Sequence, residues 1–502
     1  MQQNVTQGPT GGADEGSVHS EYADRPLWIA LTPLLALFAL LAFNVAIYGD
    51  DSLSGANQTA LILAAALASA ISMLMGVRWA DIQEKMLENI RAATPAILIL
   101  LMVGALIGTW LIGGVVPTMI YYGLQIFNPA IFIFSCCLLT AIASVVIGSS
   151  WSTSATLGVA LMSIGYTLGF NPGLVAGAII SGAYFGDKMS PLSDTTNLAS
   201  GVTGVDLFTH IRYLSLTSVP SILVTLVLYL IIGFVLGSPS AQVSTTAETQ
   251  AVLDSRFNLS PLLLVVPGVV IWLIVKRVAA LPALFVGTML GGAAAVLLQY
   301  PLLLELSDDL GGPYQVVMQA VYGDIGLQTD NAVLDELLQS GGMAGMLNTI
   351  WLIISAMVFG GAMEASGFLH KITRVLVSRV RSAGGLVTAT AGTCMLTNVS
   401  ASDQYLAVVV PGRMFIRAYK ERGLAMQNLS RTLEDCGTVT SVLVPWNTCG
   451  AFHAGVLGVA TLSYAPWALF CLISPLMTLL FAWGRIKIAM DPSPVGAGLA
   501  RD

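Results

Sequence analysis

The stretch GDKMSPLSDTTN, residues 186–197, interrupts an otherwise apolar part of the chain with two aspartates, a lysine, a proline and a run of hydroxyl and amide side chains. A lipid-facing helix does not tolerate this pattern, because every polar group within hydrocarbon needs a partner. A carboxylate at bilayer depth costs roughly 2.5–3.5 kcal/mol on insertion scales. The stretch is therefore expected to face protein or water and to have a function.

The chain around this stretch has the composition of a membrane protein. Of its 502 residues, 55% are hydrophobic and 10% are charged, against about 25% charged in soluble domains. Apolar runs long enough to cross a bilayer lie near 27–48, 56–77, 93–114, 128–148, 214–237, 259–275, 281–301, 345–366 and 466–484. This pattern excludes a soluble enzyme and predicts an all-α polytopic protein with the lipid bilayer as its surroundings.

Two regions, 149–201 and 397–450, remain hydrophobic on average but are broken by Gly, Pro and polar residues. The second contains TNVSASDQY at 397–405, then Glu434 and Asp435, and ends in SVLVPWNTCG at 441–450. A proline in a helix removes the hydrogen bond to the carbonyl four residues earlier. Pro191 and Pro445 are therefore predicted to free the carbonyls of Asp187 and Ser441.

The distribution of Lys and Arg predicts the orientation of the chain, since basic residues favour cytoplasmic loops. They concentrate at 78–91, 276–280, 371–381, 413–431 and 485–487. Both termini are then cytoplasmic, with tails at 1–26, expected to be disordered, and at 488–502. The loops 49–55, 238–258 and 302–344 are predicted to be external.

The order of spans and broken regions in 27–237 recurs in 259–487 with opposite orientation. This pattern predicts two inverted-topology repeats joined by the external connector 238–258, with broken or re-entrant helices at the midplane. Secondary transporters have this arrangement, with the substrate site near the midplane at the repeat interface.

The broken regions supply the oxygen ligands that hard monovalent cations such as Na⁺ prefer. A carboxylate that binds either H⁺ or Na⁺, but not both, couples the movement of the two ions. The predicted ion- and proton-binding residues, which would also hold Na⁺, are Asp187, Asp194, Asp403, Ser150, Ser190, Asn398, Asn447 and Thr448. Further candidates are Ser152, Glu434, Asp435, Lys188 and His453.

Structural alternatives stand beside these assignments. Lys188 could form a local ion pair with Asp187, and Asp194 could be a helix N-cap. Asp403 could lie near the cytoplasmic mouth, and Glu434 and Asp435, which follow Arg431, could form a surface cluster.

Two other side chains are expected to have structural roles. A lone His such as His453 is more often satisfied structurally than a proton sensor. Asp206 is predicted to cap the helix that follows it.

The sequence GDKMSPLSDTTNLA at 186–199, followed by DLFTHIR at 206–212, closely resembles the NhaC family of sodium/proton antiporters. The segments 398–405 and 445–452 are similar to motifs of the second half of that family. The resemblance implies a member of the ion-transporter superfamily in a prokaryotic inner membrane. It also allows a homodimer. The same family includes exchangers that resemble malate/lactate antiporters.

The first hypothesis is therefore exchange of Na⁺, or Li⁺, for H⁺ by alternating access, without a cofactor. The alternative is Na⁺/H⁺-coupled exchange of carboxylates, although neither broken region contains an Arg to clamp a dicarboxylate. An enzyme is not expected, because no catalytic motif is present. A nucleic-acid partner is not expected either, because the chain has no basic arm.

Overall fold

The part of the chain that can be described comprises residues 26–48, 52, 54–236, 242–327, 335, 338–368 and 382–491 of a computed structural model. The tails predicted at 1–26 and 488–502 lie almost wholly outside it. The basic segment 371–381 and most of the loop 49–55 also lie outside the described residues.

Apolar helices dominate the described residues. Seven are long and apolar enough to cross a bilayer, and two bent helix pairs bring the total to as many as nine. The seven are Leu27–Tyr48, Ala56–Leu74, Trp79–Ile112, Pro129–Ile147, Leu207–Val235, Ala280–Leu298 and Leu347–Ala365. The bent pairs are Thr249–Arg256 with Pro261–Val275, and Thr461–Trp467 with Leu469–Trp483. Each of the seven helices and each bent pair overlaps a predicted span, although Trp79–Ile112 also includes most of the basic segment 78–91 and Thr249–Arg256 lies within the predicted connector 238–258. The prediction of an all-α polytopic membrane protein is confirmed.

The first part of the chain contains ten α-helices within its described residues. They are α1 (Leu27–Tyr48), α2 (Ala56–Leu74), α3 (Trp79–Ile112), α4 (Val115–Ile126), α5 (Pro129–Ile147), α6 (Ser150–Thr153), α7 (Val159–Thr167), α8 (Pro172–Met189), α9 (Asp194–Thr203) and α10 (Leu207–Leu236). A π-helical segment, Ser154–Gly158, joins α6 to α7.

The described remainder continues with α11 (Gln242–Arg256), α12 (Val265–Val275), α13 (Ala280–Leu298), α14 (Tyr300–Leu310), α15 (Pro313–Tyr322), α16 (Gly342–Gly345), α17 (Leu347–Ala365), α18 (Ala383–Ser400), α19 (Gln404–Glu421), α20 (Met426–Leu433), α21 (Val439–Ser441), α22 (Thr448–Leu457), α23 (Thr461–Tyr464) and α24 (Leu469–Trp483). A second π-helical segment, Glu434–Thr438, joins α20 to α21. Two short 3₁₀ helices, Pro261–Leu264 and Ala465–Trp467, complete the helical elements.

The helix that follows each break has the same length and the same spacing from the proline in the two broken regions. A shift of 254 residues carries α9, Asp194–Thr203, onto α22, Thr448–Leu457, and Pro191 onto Pro445. This recurrence agrees with an internal repeat. The inverted orientation of the second copy stays a prediction.

The predicted connectors contain more regular structure than expected. The stretch Val115–Ile126 between two predicted spans forms α4, the connector 238–258 contains α11, and the loop 302–344 contains most of α14 and all of α15. That loop also contains a two-stranded antiparallel sheet, Ile325–Gly326 with Gln339–Ser340. Val316 and Ala320 of α15 are fully buried. The apolar face of α15 therefore packs against the membrane spans, mainly against α3.

The broken helices pack across the two halves. In the first half α8 lies along α5, and α9 packs against α19 and α20 of the second half. In the second half α22 packs against the π-helical segment 154–158, α3 and α17. Both helix breaks therefore lie at the interface between the halves.

Candidate functional site

Both helix breaks occur before their proline. Helix α8 ends at Met189, and the Ser190 N–H donates to the Asp187 carbonyl at 3.0 Å. At the second break the Val444 N–H donates to the Ser441 carbonyl at 3.3 Å. The prediction that Pro191 and Pro445 free these carbonyls is therefore wrong, because the chain turns after each helix and an amide three residues on occupies the carbonyl.

Asp187 is the buried carboxylate of the first break. Its Oδ2 accepts the backbone N–H of Ser150 at 3.0 Å and the Ser150 hydroxyl at 2.7 Å. The Ser193 hydroxyl also interacts with this carboxylate. Hydrogen bonds from donors to a carboxylate favour its ionised form. The predicted residues Asp187 and Ser150 are thus in direct contact, and the local pair of Asp187 with Lys188 does not form.

A cavity of about 560 Å³ reaches this carboxylate. The polar residues that line it are Asp187, Asp194, Ser149, Ser152, Thr195, Gln404, Tyr405 and Arg277. Tyr405 is within electrostatic range of the carboxylates of Asp187, Asp194 and Asp403. Oxygen atoms from both halves therefore surround one space that a cation can enter.

Asp194 lies in the first turn of α9 and its side chain is exposed to the cavity. The N-cap of α9 is Ser193, whose hydroxyl accepts the Thr196 N–H at 3.4 Å. The capping role considered for Asp194 is therefore filled by its neighbour. Ser190, which is buried, uses its hydroxyl to accept the Leu192 N–H at 3.2 Å.

The second break is held by amide side chains. Asn398 donates to the Gly437 carbonyl at 2.6 Å and to Thr440 Oγ1 at 3.0 Å, and Asn447 donates to the Asn398 carbonyl at 3.1 Å. Asn447 also caps α22 by accepting the Cys449 N–H at 3.0 Å. These predicted residues lie together, and their donors already have partners in the backbone of the break.

Asp403 and Thr448 flank this amide cluster. Asp403 is the N-cap of α19 and accepts the Leu406 N–H at 3.0 Å. The Thr448 N–H donates to the Ser402 carbonyl at 2.9 Å, and Thr448 also interacts with the Asp403 carboxylate. The Asp403 side chain is buried.

Beside Ser150, aromatic side chains from the two halves of the chain pack against each other. Trp151 stacks on Phe452 with ring centroids 4.2 Å apart, and His453 packs against Tyr184 at 5.4 Å. His453 Nδ1 bonds to the Cys449 carbonyl one turn earlier, at 2.9 Å. The bond within its own helix favours the structural interpretation of His453.

Lys188 and Asp435 form a fully buried ion pair between the halves. The Ser474 hydroxyl donates to Asp435 Oδ1 at 2.9 Å, the Thr217 hydroxyl donates to Oδ2 at 2.7 Å, and the Thr478 hydroxyl also donates to Oδ2. Glu434 and Asp435 are both fully buried, so the surface cluster considered for them is wrong.

Arg431, assigned to a cytoplasmic loop by its charge, is also fully buried. It lies in α20, and its guanidinium carbon is 4.7 Å from the centre of the Tyr213 ring. The hydroxyl partners of Asp435 were not predicted either. The available signal was Lys188 itself, because a lysine deep in an apolar region needs a buried anionic partner.

A second cavity, of about 660 Å³, approaches the second break from elsewhere in the molecule. Its lining includes Phe38, Asn57, Pro445, Trp446 and Thr461. Asn57 follows the loop 49–55, whereas the first cavity borders the connection 276–280. The charge pattern predicts that these two connections lie on opposite sides of a membrane.

Comparison with known proteins places these features in one family. A family model described as the Na⁺/H⁺ antiporter family matches residues 182–484. The Na⁺/H⁺ antiporter NhaC of Alkalihalophilus pseudofirmus is 38% identical over 436 residues, which is 86% of this chain and 91% of that protein.

Two relatives from Bacillus subtilis are each 34% identical. Its malate-2H⁺/Na⁺-lactate antiporter aligns over 442 residues, 88% of this chain and 91% of that protein. Its Na⁺/H⁺ antiporter NhaC aligns over 427 residues, 84% of this chain and 91% of that protein.

Proposed function

Because the chain belongs to the NhaC family of Na⁺/H⁺ antiporters, we propose that it is a secondary active transporter that exchanges Na⁺, or Li⁺, for H⁺ by alternating access. The observation that carries this proposal is the Asp187 carboxylate, which is buried, accepts two donors from Ser150 and borders a cavity. A buried charge of this kind needs a counter-ion or a proton. Exchange follows when Na⁺ and H⁺ alternate in neutralising the site.

In this proposal Na⁺ enters the cavity of about 560 Å³ and binds Asp187. Asp194, Ser152 and the Gln404 amide, which line the same cavity, supply further oxygen ligands. Hydroxyl, amide and carboxylate oxygens are the ligands that hard monovalent cations prefer.

The second break contributes by fixing the opposite wall of the site. Asn398, Asn447 and Thr448 hold the break rigid, and Asp403 adds a buried carboxylate next to Thr448. At the first break the Ser190 hydroxyl, which accepts the Leu192 N–H, holds the chain in place in the same way. These residues keep the two breaks in register while the site is exposed to either side.

The two cavities support alternating access. We propose that the cavity beside the connection 276–280 is the cytoplasmic access path, since basic residues favour that side. The cavity beside Asn57 then marks the external path to the second break. The proposed location is the cytoplasmic membrane of a prokaryote, and the proposed topology has both termini in the cytoplasm and two inverted repeats.

Coupled carboxylate exchange is the second candidate function. Arg277 lines the cavity, whose volume exceeds what one Na⁺ requires, and a guanidinium is suited to binding a carboxylate. The malate-2H⁺/Na⁺-lactate antiporter is one of the relatives.

The deciding experiment uses purified protein in proteoliposomes. We expect added Na⁺ to move protons across the membrane and radiolabelled Na⁺ to undergo counterflow. Labelled malate or lactate should show no counterflow. If either carboxylate exchanges while Na⁺ alone moves no protons, the second function is correct and the first is wrong.

A further inference from the structure

Glu434 is a fully buried carboxyl group to which no described residue donates a hydrogen bond. It is the first residue of the π-helical segment Glu434–Thr438. The Thr438 hydroxyl approaches it from one turn further along, but hydrogen-bond geometry is not reached and Thr438 Oγ1 is itself without a partner among the described residues. Such π-helical segments often occur at functional sites.

Its neighbour Asp435 has the opposite surroundings. Asp435 is paired with Lys188 and accepts three hydroxyls, so its charge is balanced and its oxygens are occupied. The Lys188 ammonium is within electrostatic range of Glu434, but its hydrogen bonds go to Asp435 and Ser474, so Glu434 has no ion-pair partner among the described residues. An isolated ionised carboxylate in an apolar interior is so unfavourable that the group takes up a proton instead. In this conformation Glu434 is therefore neutral.

Asp187 is the group to which Glu434 is coupled. The side chains of Glu434 and Asp187 interact electrostatically, and Asp187 differs from Glu434 in having the two donors from Ser150 and access to the cavity. Two ionised carboxylates within such range repel each other. A cation bound at Asp187 removes this repulsion and allows Glu434 to ionise.

Further charged and titratable groups lie on the elements around the π-helical segment. The list by element is Lys188 on α8, Asp435 and Cys436 on the same π-helical segment, Arg431 on α20, Cys394 on α18, Tyr419 on α19, Asp194 in the exposed first turn of α9, and His210 on α10. Helix α24 contributes the hydroxyls of Ser474 and Thr478. Lys188 is committed to Asp435, and Arg431 lies over Tyr213.

We propose that the transported proton and the transported cation occupy different residues, with the proton on Glu434 and Na⁺ on Asp187. Binding of Na⁺ at Asp187 expels the proton of Glu434, and departure of Na⁺ allows a proton to return. Each step moves one H⁺ between the Glu434 carboxyl and water, and no other bond changes. This proposal rests on the proposed function and identifies the residue that carries the transported proton.

The test compares Na⁺ binding with proton release in detergent-purified full-length protein. Binding is measured with radiolabelled Na⁺ at several pH values, and release with a pH indicator in weakly buffered solution. In the wild type we expect Na⁺ affinity to rise about tenfold from neutral to alkaline pH, the magnitude of a typical coupling between two sites. Each bound Na⁺ should release a proton.

The informative variant is Glu434→Gln, which resembles the neutral acid in shape and hydrogen bonding. It should melt at the same temperature as the wild type and still bind Na⁺, with an affinity that changes less than about twofold over the same pH range. It should release no proton. Glu434→Asp should restore the pH dependence, and Glu421→Gln, an exposed residue near the end of α19, should behave as the wild type.

Retention of proton release and pH dependence in Glu434→Gln overturns the proposal, because the proton then resides elsewhere. Loss of Na⁺ binding by a Glu434→Gln protein that melts normally also overturns it, since Glu434 would then be a cation ligand. Absence of Na⁺ binding by the wild type contradicts the proposed function itself, so the two failures are distinct.

Discussion

Lys188 and Asp435, which are 247 residues apart in the sequence, form an ion pair in which neither side chain is exposed. The pair joins the first helix break, two residues before Ser190, to the π-helical segment of the other half. Burying two charges costs free energy that only good geometry and additional hydrogen bonds offset. Here Thr217, Ser474 and Thr478 supply those hydrogen bonds.

Removing the lysine should destabilise the protein strongly. Lys188→Met leaves the Asp435 carboxylate buried without a cation, and we expect the free energy of unfolding to fall by about 3–5 kcal/mol. Thermal unfolding in detergent measures this as a lower melting temperature. Adding Asp435→Asn to Lys188→Met should recover part of the loss, because no uncompensated charge then remains.

The control for this prediction is Lys276→Met at an exposed lysine, which should change stability by less than about 0.5 kcal/mol. If Lys188→Met has the same melting temperature as Lys276→Met and the wild type, the ion pair does not hold the halves together.

Gly186 allows α8 to approach α5 closely enough to place Asp187. A Cβ atom at Gly186 would collide with the Ala141 carbonyl oxygen and with Ser144 of α5. We expect Gly186→Ala to destabilise the protein by about 1–3 kcal/mol, because backbone has to move. The same displacement of Asp187 should lower the rate of Na⁺-driven proton movement in proteoliposomes.

Gly392, in the interior of α18, provides a matched control because a Cβ atom there meets nothing within 4 Å. Gly392→Ala should be neutral or stabilise by about 0.4–1 kcal/mol, since alanine restricts the unfolded chain. Equal effects of the two substitutions would show that the packing of α8 on α5 does not position the site.

The Ser150 hydroxyl should matter for cation binding. Ser150→Ala removes the donor at 2.7 Å from Asp187 Oδ2 but keeps the backbone N–H at 3.0 Å. A hydrogen bond to a charged group contributes about 1.5–3 kcal/mol, so the half-saturating Na⁺ concentration should rise by about tenfold or more.

Two variants test the specificity of this effect. Ser150→Thr keeps a hydroxyl and should stay close to the wild type. Ser135→Ala, whose hydroxyl bonds only to the Ile131 carbonyl among the described residues, should leave Na⁺ affinity unchanged. An unaltered affinity in Ser150→Ala would mean that this hydroxyl does not support the Asp187 carboxylate.

Asp206 gives a pH-dependent contribution to stability. Its Oδ2 accepts the Thr209 N–H at 2.9 Å and the Thr209 hydroxyl at 3.0 Å, as expected of the predicted N-cap. The N–H and hydroxyl of Thr209 lower the pKa of Asp206 below its usual range. A carboxyl whose pKa is lower in the folded state stabilises above its unfolded pKa of about 4, and this stabilisation is lost as the pH falls through the folded value.

The corresponding measurement is the melting temperature of Asp206→Ala and the wild type across pH. The variant should melt lower at neutral pH, and the difference should shrink as the solution becomes acidic. Asp206→Asn, which still accepts the Thr209 N–H, should remain near the wild type at neutral pH. A difference between Asp206→Ala and the wild type that does not change with pH would contradict the capping role of the carboxylate.

Hydropathy and local patterns were sufficient to predict the spans and the two broken regions. Bilayer-length apolar runs have few alternative structures, and a stretch such as 186–197 cannot lie in lipid. Ser150 and Asp187 were both assigned to the site because they lie in one broken region, but the hydrogen bonds between them were not predicted. The capping role of Asp206 was predicted from its position before a helical run.

Contacts between the halves could not be predicted, because they depend on how the helices pack. Nothing near Lys188 in the sequence indicates Asp435, and the basic character of Arg431 suggested a loop although its helix is buried. The carbonyls of Asp187 and Ser441 were predicted to be free because each proline was assumed to lie inside a helix. The helices end before the prolines, and where they end depends on tertiary packing.

The Asp187 carboxylate is the proposed cation site of the Na⁺/H⁺ exchange. The most direct measurement is Na⁺-driven proton movement in proteoliposomes containing equal amounts of wild-type protein or Asp187→Asn. The wild type should dissipate an imposed pH gradient when Na⁺ or Li⁺ is added, and Asp187→Asn should show no response although it folds and inserts normally. Equal responses of the two proteins, or no response of the wild type to either ion, would contradict the account.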